Sequence, residues 1–97
     1  MKDVFEWLQN WYKSQCDGDW EHEYGIKIET VDNPGWYVVI NLTGTICEGR
    51  TFTPTKNEID ENNWYFCLVK NSNFEASCDS SNLTTILEIF RTWAENC

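Results

Sequence analysis

The stretch CDGDWEHEYG, Cys16 to Gly25, collects residue types that do chemistry: a thiol, carboxylates at Asp17, Asp19, Glu21 and Glu23, and the chain's single histidine, His22. A calcium loop needs alternating oxygen ligands, glycine at its sixth position and a bidentate glutamate at its twelfth. Counted from Asp17, those positions hold His22 and Ile28, so the EF-hand pattern fails. One cysteine and one histidine at this spacing match no common zinc arrangement, and no metal or cofactor is assigned. An adjacent carboxylate, Glu21 or Glu23, can orient the His22 ring as a general base, but no motif ties a nucleophile to it. Cys47 in CEGRT, with Arg50 nearby, offers the persulfide chemistry of a sulfurtransferase. Loops of that kind cradle their anion best at a helix N-terminus, whereas Cys47 stands among strand-like residues. A small enzyme using His22 or Cys47 therefore stays an alternative, with no catalytic residue assigned.

The elements that hold these residues belong to a single domain, 1–97, of which a chain this long buries roughly 60 to 70% of its unfolded surface. Aromatic residues make up 15%, with six tryptophans, enough that some exceed what one core needs. Sixteen acidic residues against seven lysines and arginines give a net charge of −9. That balance repels phosphates and anionic membranes and favours a basic protein partner. Five cysteines without a CxxC pair suggest free thiols in a reducing cytoplasm. No signal-peptide core precedes them, and the longest apolar run, WYFCLV, is too short to cross a bilayer.

Hydrophobic spacing predicts a helix over Asp3–Gln15, with Asp3 and Glu6 as an acidic capping box, then a loop over 16–23. From Tyr24 the period becomes two. DNPGW is read as a type II turn, with Pro34 fixing φ and Gly35 taking a positive one. Further strands are expected at Trp36–Thr43 and, after a TG hairpin, near Thr45–Phe52. TPTKNEIDENN reads as a polar loop, Trp64–Lys70 and Asn73–Cys78 as a hairpin, and the residues after Ser80–Asn82 as a helix with the stripe Leu83, Ile86, Leu87, Phe90 and Ala94. The fold class is α+β: an antiparallel sheet of four to five strands with an N-terminal and a C-terminal helix packed on it. Tyr37 and Val39 oppose the core-type residues of their strand, and Trp64, Phe66 and Leu68 alternate with Tyr65, Cys67 and Val69. Either the helices divide between the two faces, or one face keeps an exposed aromatic patch.

Residues 11–36, WYKSQCDGDWEHEYGIKIETVDNPGW, together with LEIFRTWAE near the C-terminus, resemble the bacterial immunity protein 53 family of polymorphic toxin systems. The resemblance is close over about the first 45 residues and loose over 46–79. It implies an intracellular antidote that binds and blocks a cognate toxin and has no catalytic residues. The charge pattern agrees in kind, because a nuclease must be basic where it holds phosphate, and an acidic domain can occupy that surface. Six acids and one lysine lie between Asp17 and Asp32, and Glu58, Asp60 and Glu61 form a second cluster. The expected toxin-binding set is thus Asp17, Asp19, Trp20, Glu21, His22, Glu23, Asp32, Trp36, Glu58, Asp60 and Glu61. For Trp20 and Trp36, burial at the sheet edge is the competing role. A homodimer or adaptor that pairs through the second sheet face is the remaining alternative.

Overall fold

The computed structural model describes residues 3–97. Helix α1 covers Val4–Gln15, a single-turn helix α2 covers Trp20–Glu23, and strands β1 (Ile26–Val31) and β2 (Gly35–Asn41) follow. Strands β3 (Thr55–Asp60), β4 (Asn63–Lys70) and β5 (Asn73–Cys78) complete one antiparallel sheet in the order β1-β2-β5-β4-β3, and α3 (Leu83–Ala94) ends the chain. This is the expected α+β arrangement with both terminal helices on the sheet.

Asp3 caps α1, its carboxylate accepting the Glu6 N–H at 3.0 Å. Leu8 of α1 and Ile86, Leu87 and Phe90 of α3 are buried against Val38, Ile40, Phe74, Ala76 and Cys67, with Trp11 partly buried beside them. Rings lock the two helices together: Trp7 and Trp11 meet Phe90 edge-on at 5.9 and 5.2 Å.

Three expectations change. Residues 16–23 are not wholly loop, because Trp20–Glu23 closes a helical turn. The third strand lies at Thr55–Asp60, inside the stretch read as a polar loop, while 42–54 is a string of turns. In that string Thr45 N–H returns to Leu42 O, Glu48 N–H to Thr45 O and Arg50 N–H to Cys47 O. These turns carry the chain across the helix-bearing side to the far edge of the sheet, with Leu42, Cys47 and Phe52 facing inward. β3 looks like a loop because it is an edge strand whose two faces are both largely wet, so nothing in it had to be apolar. Finally, Gly35 does not supply a positive φ. It begins β2, where a Cβ would lie 2.3 Å from Cys78 O, so close approach of β5 requires glycine there.

Both long helices cover the same sheet face. Register places Lys27, Val39, Glu75 and Leu68 in one row of the other face and Glu29, Tyr37, Ser77, Phe66 and Lys56 in the next. Among the described residues no element packs over these rows, so the patch alternative holds.

Candidate functional site

Topology splits the acidic residues between opposite ends of the sheet. α2 feeds into the start of β1, whereas Asp32 sits in the β1–β2 turn and Asp60 and Glu61 sit at the β3–β4 turn, both at the other end. Those two turns are about three strand spacings, roughly 14 Å, apart.

The α2 end is largely occupied with its own backbone. Asp17 accepts from Asp19 N–H and Trp20 N–H, both at 2.9 Å, and Glu21 accepts from Asp17 N–H and Gly18 N–H at 3.0 and 2.8 Å. The Trp20 and Asp19 amides hold the Asp17 carboxyl below the ordinary range. Glu21 is lowered by its own amide and by those of Asp17 and Gly18. Trp20, 6% exposed, donates from Nε1 to Thr43 O at 2.8 Å and meets the rings of Trp11, Tyr12 and Tyr24. Asp17, Glu21 and Trp20 therefore build one device: two carboxylates wind the turn that drives the indole into its slot. Asp19, His22 and Glu23 remain on the surface, around a shallow depression that Gly44 completes.

His22 has no hydrogen-bonded acid or nucleophile among the described residues. Cys47 is fully buried, and burial pushes its thiol up to about 12, which suits a packing residue rather than a thiolate carrier. All five cysteines are free. Among the described residues no group of three or more His, Cys, Asp and Glu side chains is placed to hold a metal ion, and no helix is long and apolar enough to cross a membrane.

The opposite corner is built differently. The ladder between β3 and β4 slips between Glu58 and Asp60, pairing Glu58 with Trp64 and Asp60 with Asn63. Ile59 is the extra residue of this bulge and is 66% exposed. With Trp64, Glu58, Asp60 and Glu61 it lines a shallow depression. Glu58 pairs with Lys56 at 3.0 Å and Asp60 accepts the Asn62 N–H at 2.7 Å, while Glu61 makes neither kind of contact. Trp64 leads along β4 to Phe66, 36% exposed, and Leu68 on the uncovered face. Trp36 lies on the covered side and ties β2 to the chain after β5, its Nε1 donating to Ser80 O at 3.1 Å.

Two residues here escaped sequence reasoning. Ile59 was hidden inside a stretch read as loop, and only a strand assignment there would have marked it as an apolar residue out of phase. Asp79 is buried and accepts from Trp64 N–H at 2.7 Å, Ser81 N–H at 2.6 Å and the Asn82 amide, joining β4 to the approach to α3. Burial alone would raise its carboxyl pKa, but the Trp64 and Ser81 amides outweigh it and the net shift is downward. Asn82 occupies the N-cap position of α3, but its side chain bonds Thr85 and Asp79 rather than a helix amide.

Comparison with known proteins now gives the arrangement a setting. The family model described as Immunity protein 53 matches residues 5–95, nearly the whole chain, and the chain belongs to that family. No curated protein and no solved structure matches it.

Proposed function

From this membership, which carries a toxin-neutralising immunity role in general, we propose that the protein is the cytoplasmic antidote of a polymorphic toxin system. In this reading its cognate toxin, a nuclease, has a basic active surface. Inhibition is by occupation: the antidote covers the groove where the toxin would hold phosphate. The corner formed by Ile59 and Trp64, rimmed by Glu58, Asp60 and Glu61, is the contact. It has an apolar centre to exclude water, surrounded by charge to steer encounter. Asp32, at the same end of the sheet, extends the acidic field, while Asp19 and Glu23, on either side of His22, add to it from the other end.

The observation that supports this choice of surface is the bulge. An edge strand needs charge to stay unpaired, but it has no structural use for an isoleucine turned to solvent. Purified antidote titrated into its cognate toxin domain should abolish toxin activity at a one-to-one ratio. Its association rate should fall about tenfold or more between low and physiological salt, where charges screen over about 8 Å. A folded chain that neither binds the toxin nor protects cells expressing it would reject the reading.

A further inference from the structure

The two edges of the sheet are unequal. β3 carries a bulge and three charged side chains, whereas β1, IKIETV, is unbulged, lacks proline and is uncovered among the described residues. Asn41 N–H donates to Gly25 O at 3.0 Å, which sets the phase of the ladder. Lys27 and Glu29 turn their backbone groups inward to β2, and Ile26, Ile28 and Thr30 turn theirs outward. Three N–H and three C=O groups thus line the edge, ready for another strand.

The side chains say which strand fits. Antiparallel pairing of β1 with a second β1 about Ile28 sets Lys27 opposite Glu29 of the other copy, twice, on the uncovered face. On the helix side it sets Ile28 against Ile28 and Ile26 against Thr30. Beside that line runs a groove of about 420 Å³ between α1 and the start of β1, walled by Phe5, Leu8, Tyr12 and Ile26. Phe5, 49% exposed, and Tyr12 lie on an i, i+7 stripe of α1 turned away from the core. A basic toxin would gain little here, because Lys27 balances Glu29 along this edge and leaves it without the local negative charge that would draw a basic surface. A second copy is matched residue for residue.

We propose that the protein forms a two-fold homodimer by β1-to-β1 pairing, joining two five-stranded sheets into one of ten strands, with the Phe5 and Tyr12 stripes of the two α1 helices meeting over the seam. The pairing is isologous, each copy exchanging Lys27 for Glu29. Across the sheet the β3–β4 corner is about four strand spacings, roughly 19 Å, away, so each copy keeps that corner open. The dimer does not depend on the immunity role.

Sedimentation of the purified chain from about 5 to 500 µM tests it. The mass should rise from 11.5 kDa toward twice that value. Thr30→Pro removes one outward N–H without touching the β1–β2 ladder, and should weaken association at least tenfold while retaining the native circular dichroism. Lys27→Glu alone and Glu29→Lys alone should each weaken self-association about tenfold through like-charge facing. Mixed together, those two variants should form a heterodimer, and the double variant Lys27→Glu/Glu29→Lys should recover wild-type association. A wild-type mass of 11.5 kDa throughout, or a dimer indifferent to all three single changes, would overturn the proposal. So would β1 being protected from exchange only when toxin is bound.

Discussion

The segments 17–23 and 58–61 are both acid-rich, yet their carboxylates do different work. In the first, Asp17 and Glu21 between them accept four backbone N–H groups and pin a single helical turn whose product is a buried Trp20. In the second, a bulged edge strand pushes Ile59 outward among Glu58, Asp60 and Glu61. A count of acids ranks the α2 segment first as a recognition surface. The destination of each oxygen ranks it second.

If that contrast is right, changes in the first region should cost stability and changes in the second should cost only binding. The largest loss is expected for Trp20→Ala, which empties a slot ringed by Trp11, Tyr12 and Tyr24 and abandons the bond to Thr43: about 3–5 kcal/mol by chemical denaturation. A loss under about 1 kcal/mol would mean that the indole is not the anchor of the α2 end.

Next comes Asp79→Ala, expected to cost about 2 kcal/mol, because it takes the shared acceptor from three partly buried donors of Trp64, Ser81 and Asn82. Its acid dependence has a definite sign. Asp79, Asp17 and Glu21 all have carboxyl pKa values below their ordinary 3.8 or 4.5. Their contribution is therefore fully present above the unfolded values and is lost as pH falls through the lower folded ones. Wild type should hold its stability from neutrality to about pH 5 and lose it progressively below pH 4. Asp79→Asn should be less stable at pH 7 and show a shallower acid loss; an equally steep loss would remove Asp79 from the set.

The smallest stability effect is expected at the corner. Ile59→Ala and Glu61→Lys should each shift unfolding by less than about 0.5 kcal/mol, since both side chains are exposed and no packing rests on them. A larger loss in either would turn the corner into a structural element and erase the contrast.

Legibility followed the degree of burial. The α1 and α3 stripes, the β4–β5 hairpin and both sets of alternating residues on β4 could be read directly, because a one-sided core imposes its period on the sequence. β3 could not, since Thr55–Asp60 is an edge whose polarity is its protection. Its neighbour 45–52 looked like a strand because Cys47 and Phe52 are core residues carried by turns rather than by a ladder. Gly35 reads from sequence as a positive-φ turn residue and is not one; glycine is needed there for a backbone contact that only the register of β2 on β5 reveals. As for the site, the sequence located every acidic side chain and neither their separation to opposite ends nor the bulge at Ile59, both of which are consequences of topology.

The most direct test compares the two regions on the same partner. Association and dissociation of the cognate toxin should be measured with two double variants, Ile59→Ala/Glu61→Lys at the corner and Asp19→Lys/Glu23→Lys at the α2 end, each confirmed to melt as wild type does. We expect the corner variant to bind at least about 30-fold more weakly, through a slower encounter and a faster release. The α2 variant should stay within about threefold, its change confined to the association rate. The reverse ranking, with the α2 variant crippled and the corner variant unaltered, would contradict the assignment of the toxin contact to the β3–β4 corner.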